Sequence, residues 1–290
     1  MKYINITPDY YAEKNFCQDI YEELDKYFDD DITLCVRGWD QTEDYGDIKR
    51  ITIVTSAEGH KYFPEEQKSD KCLALFMHYA PKIDIRKYAK PAIWNAVARA
   101  QQYIPNTFVK IEKVYPLPLG CTKFFEDGEF IPYNDRKHDV TFVGQLDPYK
   151  RAEFYRAVQK LSEQLVDRKM CLGFYEGWNK GFSGAEYSNI MRDTKVALVP
   201  WGSASLDTFR FYEAARSGCV ILADRQNEYE FFEGSPHTEV SDWTNIITDV
   251  NAILNDELSA QRALNTREFW KSNLSPIASA KYILSKVKND

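Results

Sequence analysis

The stretch "KVALVPWGSASLDTFRFYEAARSGCVILAD" (residues 195–224) reads as strand, turn, helix and strand in succession. Residues 195–202 form an apolar, β-rich run that Pro200 and Gly202 bring to a stop. Residues 206–217 follow with helical spacing, and 218–223 form a second apolar run. Two strands that are apolar throughout, joined by a helix, describe a βαβ unit in a parallel sheet covered on both faces.

The alternation extends in both directions. Upstream, "VTFVG" (140–144), "YKRAEFYRAVQKLSEQL" (149–165), "KMCLGFY" (169–175) and "GAEYSNIMRDT" (184–194) read as strand, helix, strand, helix. The first half carries a helical pattern at 16–28, apolar runs at 32–38, 50–56 and 71–80, a helical pattern at 90–104 and an extended segment at 113–120. Between the halves lies the polar, turn-rich "FEDGEFIPYNDRKHD" (125–139), read as a linker. Three helical patterns, within 242–255, 257–273 and 276–289, close the chain. The expected architecture is α/β, with two Rossmann-like domains over residues 1–135 and 136–290.

Composition agrees with this. A chain of 290 residues has the length of about two domains. The formal charge of −7 argues against a nucleic-acid partner held by phosphate neutralisation. Six cysteines stand singly with no C-x-x-C pair, so neither zinc nor a disulfide framework is indicated. The first residues lack an apolar signal core, and no run approaches the ~18 apolar residues of a membrane span. A soluble, cytoplasmic protein is expected, with no metal.

Ligands in such sheets bind beyond the carboxyl ends of the strands. After "VTFVG", Gly144 permits a close backbone approach, and Lys150 and Arg151 open a helix, a combination suited to a pyrophosphate. The spacing matches neither a Walker loop nor G-x-G-x-x-G. After Pro200 and Gly202, the residues Ser203, Ser205, Asp207 and Thr208 offer caps for the next helix. On that helix Asp207, Arg210, Glu213 and Ser217 share one stripe. Spacing alone allows either a surface Arg–Glu pair or the wall of a ligand site. "FDDD" (28–31) contains Asp-x-Asp but lies between a helix and a strand, where a solvated turn is the simpler reading.

Residues 187–224 resemble the core of exostosin-type glycosyltransferases (glycosyltransferase family 47 and relatives). The matching positions are Tyr187, Lys195, Pro200, Gly202, Arg210, Glu213, Ala214, Gly218, Cys219 and Val220. Two positions depart from the pattern: Ile221 stands where Pro is usual, and Trp201 where Arg is common. Small virus-encoded enzymes of this type that build capsid glycans, a xylosyltransferase among them, are similar in size. The resemblance implies a GT-B fold, two facing Rossmann-like domains with an interdomain cleft. The acceptor would bind the first domain and a nucleotide sugar, UDP-activated, the second. It further implies that Glu213 accepts hydrogen bonds from the donor ribose, that Arg210 faces the diphosphate, and that Gly144 with Arg151 closes over it. No cofactor is implied, since the nucleotide sugar is a substrate, and GT-B enzymes usually act without a metal.

An inverting transfer to a glycan or glycoprotein hydroxyl needs a base. Glu58 and His60 follow one strand of the first half and His78 closes another, which makes them the catalytic candidates. Tyr62, Phe63, Tyr79 and Tyr88 offer faces for sugar rings. The alternatives are a nucleotide-sugar epimerase on the same fold and a two-lobed sugar-binding protein without transferase activity.

Overall fold

The computed structural model describes residues 1–41, 43–55, 66, 68–80, 112–145, 151–177, 180–202 and 206–288. The expected helix at 90–104 lies outside these residues. The chain divides into two compact units, each built on a five-stranded parallel sheet.

The first unit comprises residues 1–123, 227–233 and 273–290. Its strands are β1 (Lys2–Asn5), β2 (Thr33–Gly38), β3 (Arg50–Thr55), β4 (Cys72–Met77) and β5 (Val114–Pro116), adjacent in that order and all parallel. The short edge strand β1 escaped the sequence reading, because four half-polar residues give no periodic signal. Side chains alternate between sheet faces, so Leu34, Val36, Ile51, Ile53, Ala74 and Phe76 share one side. Helix α1 (Lys14–Leu24) covers it with Phe16, Ile20 and Leu24, spaced at i, i+4 and i+8. The other side is partly ionic. Arg50 donates Nε and Nη2 to Glu66 Oε2 at 3.1 and 2.9 Å, and Arg37 Nη2 lies 3.7 Å from Oε1.

The second unit comprises residues 124–226 and 234–272. It runs β6 (His138–Gln145), α2 (Ala152–Gln164), β7 (Met170–Tyr175), α3 (Gly184–Arg192), β8 (Thr194–Val199), α4 (Phe209–Ser217), β9 (Val220–Ala223) and β10 (Thr238–Glu239). Helices α5 (Ile246–Asn255) and α6 (Ser259–Phe269) complete it. The strand order is β10-β9-β8-β6-β7, all parallel. Counted from β6 this is the doubly wound order 2-1-3-4-5, whose direction of winding reverses between β6 and β8. Val140, Phe142, Val196, Leu198, Val220 and Leu222 form a core with Phe154, Val158 and Leu161 of α2 and Val250 of α5.

Two expectations are corrected. The boundary at 135/136 fails, because the last helix, α7 (Pro276–Val287), packs with the first unit through Ala280 and Ile283 against the core that α1 covers. Residues 125–139 are not a linker either. Arg136 is buried and donates to Ile131 O at 2.9 Å, Thr194 O at 2.7 Å, Gly218 O at 2.8 Å and Ser217 O at 2.9 Å. Its guanidinium thus satisfies carbonyls at the C-terminus of α4, where a cation also suits the helix dipole. Polar composition misled here because a buried arginine binding backbone is indistinguishable, in sequence, from a solvated one.

Candidate functional site

At the reversal point β6 and β8 are parallel neighbours, with Gly144 near the end of the first and Pro200 directly after the second. Gly144 lies near the end of β6 and is pressed against Arg210. A Cβ at position 144 would stand 2.0 Å from Arg210 Nη2 and 3.2 Å from Phe142 Cζ. Glycine is therefore needed here to admit a side chain of this protein. The guanidinium donates Nε and Nη2 to Val143 O at 3.0 and 2.7 Å and lies 4.5 Å from the Phe142 ring centroid. Nη1 is buried and has no hydrogen-bond partner among the described residues. Arg210 thus holds the end of β6 with two nitrogens and keeps a third available.

Glu213 sits one turn along α4 and is 3% exposed. Tyr187 of α3 donates its hydroxyl to Glu213 Oε2 at 2.9 Å. The tyrosine's own pKa is pushed well up, by burial first and by the Glu213 carboxylate second. A surface Arg–Glu pair is excluded, since both residues are buried against their own unit. Gly218 ends α4 in the left-handed conformation (φ 67°, ψ 38°), which satisfies the last turn as expected of its position. Cys219 is fully buried and donates its thiol to Met191 O.

Arg151 stands at the N-cap of α2, and its side chain is committed to backbone. Nε donates to Trp201 O at 2.8 Å, Nη2 to the same oxygen, and Nη1 to Gln145 O at 3.0 Å. Trp201 N in turn donates to Asp224 Oδ2 at 2.8 Å. The Pro200–Gly202 turn is thereby clamped from both sides, by the loop after β6 and by the end of β9. Asp224, which the sequence reading passed over, also accepts from Trp243 Nε1 at 2.9 Å, and burial raises its pKa to about 6. A carboxylate closing an apolar strand was the available signal.

Asp207 does not cap α4. The N-cap is Thr208, whose side chain makes no capping bond. Asp207 accepts instead from Tyr212 Oη at 3.0 Å, and burial raises its pKa to about 7 against the hydrogen bonds that lower it. Lys150 and Ser205 lie outside the described residues. So do Glu58 and His60 among the catalytic candidates, and the aromatics Tyr62, Phe63 and Tyr88.

His78 directly follows β4 in the first unit and is fully buried. Its Nδ1 lies 3.4 Å from Oε1 of Glu13, equally buried at the start of α1, and its Nε2 has no partner among the described residues. Sequence missed Glu13, because 65 residues separate it from His78. Tyr79 adopts φ 54°, a strained conformation for a bulky residue. Among the described residues, no group of three His, Cys, Asp or Glu side chains could hold a metal ion. No helix among them is long and apolar enough to cross a membrane.

No protein-family model matches the chain, and no curated protein does. Solved structures match over 60% to 100% of their own length. A glycosyltransferase from Rickettsia africae ESF-5 gives a TM-score of 0.55 at 9% identity, covering 99% of this chain and 97% of that one. The glycosyltransferase SnogD from Streptomyces nogalater gives 0.50 at 9% identity, covering 98% and 99%. HepE from Anabaena, in complex with UDP, gives 0.47 at 12% identity with full coverage of both chains. The shared feature is the fold, the GT-B pair of Rossmann-like units on parallel sheets.

Proposed function

We propose that the protein is a glycosyltransferase that moves a sugar from a nucleotide sugar, UDP-activated, to a hydroxyl of a glycan or glycoprotein. The observation that carries this reading is the buried Arg210 and Glu213 on the helix following β8, beside a glycine at the reversal point of the sheet. A buried carboxylate and a cation with a nitrogen unpaired among the described residues suit a ligand that is a polyol at one end and an anion at the other. Glu213 accepts from ribose hydroxyls, and Arg210 Nη1 faces the diphosphate, with Gly144, Lys150 and Arg151 as its further contacts. Pro200, Gly202, Ser205 and Asp207 are the further donor-binding residues in this reading. The fold shared with the Rickettsia and Streptomyces glycosyltransferases supports the class, and the residues 187–224 support the exostosin type.

The reaction is written as inverting and metal-independent. The acceptor oxygen attacks the anomeric carbon as the bond to the β-phosphate oxygen breaks. The acceptor proton passes to a base drawn from Glu58, His60 or His78, and the nucleoside diphosphate leaves as an anion. Fixed donors stabilise that developing charge without reorganising.

A thermal-shift panel tests the donor. A ligand at a hundredfold excess over its Kd adds about 2.7 kcal/mol of stability, so UDP and UDP-sugars should raise Tm where free sugars do not. Arg210→Lys and Glu213→Gln should each raise the donor KM at least roughly tenfold, as expected for a charged contact. EDTA should leave transfer unchanged. Wild-type donor affinity in both variants would overturn the site, and turnover of the nucleotide sugar into an isomer without acceptor would identify an epimerase.

A further inference from the structure

We propose that Tyr187 is a positioning residue for the donor's ribose, acting through Glu213; this rests on the reading of Glu213 as the ribose acceptor. Tyr187 comes from a different helix than its partner, and both are held in place. A capping box starts α3, with Glu186 N donating to Ser183 Oγ at 3.3 Å and Ser183 N donating to Glu186 Oε2 at 2.9 Å. The Phe125 ring meets the Tyr187 ring edge-on at 6.0 Å. The phenol is thus delivered in a fixed direction to Oε2.

The chemistry explains a phenol at this place. A carboxylate has about four lone-pair sites, and the hydroxyl takes one while leaving the full negative charge to receive ribose hydroxyls. A lysine or arginine in its position would neutralise that charge. An unrestrained glutamate would lose rotamer freedom when the ligand arrives. Tyr187 fixes it beforehand, which is preorganisation of a contact rather than a contact itself. Arg210 acts on the same hydroxyl electrostatically, so the phenol, the carboxylate and the guanidinium form one unit built from α3 and α4.

The test compares UDP with its 2′-deoxy counterpart, dUDP, by calorimetry on the full chain. Wild type should prefer UDP, because dUDP lacks one of the hydroxyls that Glu213 receives. Tyr187→Phe should shrink the UDP/dUDP preference by roughly threefold to tenfold, the net size of an ordinary hydrogen bond, mainly by weakening UDP. A purely structural loss would weaken both nucleotides alike and leave the ratio unchanged, which overturns the proposal. In a Glu213→Gln background, Tyr187→Phe should change the ratio no further; a second full drop there overturns the proposal as well. If Tyr187→Phe lowers the unliganded Tm, its ratio is measured below that Tm, and the double variant carries the decision. A ratio insensitive to Tyr187→Phe but lowered by Glu213→Gln sinks this inference alone. A ratio insensitive to both sinks the ribose reading of Glu213.

Discussion

Replacing Gly144 by alanine is the sharpest probe of the reversal point. The added Cβ would lie 2.0 Å from Arg210 Nη2, inside any permissible contact. The backbone at Val143 and Gly144 is held in β6 against Gly173 and Phe174 of β7, so the guanidinium must yield. Moving it sacrifices the two donations to Val143 O at 3.0 and 2.7 Å. One charge-assisted hydrogen bond contributes about 1.5–3 kcal/mol. As both nitrogens share a single acceptor, the loss is set near that range rather than double it. Gly144→Ala should therefore lower unfolding free energy by about 1.5–3 kcal/mol in urea titrations. The cycle with Arg210→Ala isolates the cause. In that background the nearest of the remaining neighbours is Phe142 Cζ at 3.2 Å, and the substitution should cost under about 1 kcal/mol. Equal costs in the two backgrounds would refute the claim that glycine is there to admit Arg210.

Two more expectations concern stability. Asp207 is 2% exposed, with a folded pKa of about 7 against an ordinary value of 3.8. Because the folded form holds its proton more tightly, its contribution is complete below pH ~4 and is lost as pH rises to about 7, by about 4 kcal/mol at most. Asp207→Asn should flatten that part of the stability profile, and an unchanged slope between pH 4 and 7 would refute the assignment. Arg136→Met leaves four carbonyl oxygens without their donor and should cost roughly 3–5 kcal/mol. A loss below about 1 kcal/mol in urea would show that water replaces the guanidinium there.

Sequence carried the architecture well where period and length were strong. The apolar runs at 140–144, 169–175 and 195–202 overlap β6, β7 and β8, and Gly218 ends α4. Burial on both faces of a parallel sheet writes itself into a strand as continuous apolarity. Strand β1, the two-residue β10 and the true allegiance of α7 left no such mark. An amphipathic helix shows that it has an apolar face and not which sheet receives it.

The same limit separates what each level decided at the site. Sequence alone determined that two parallel α/β sheets exist and placed Gly144, Arg151, Arg210 and Glu213 around the carboxyl ends of strands in the second half. The tertiary structure decided how those residues are used. It has Arg151 hold Trp201 and Gly144 seat Arg210. It also brought Tyr187 to Glu213 and Glu13 to His78 across 26 and 65 residues. Local spacing follows from backbone geometry and is legible in one dimension. Partners of buried polar groups are set by long-range packing, since most such groups take a donor or acceptor wherever the fold supplies one.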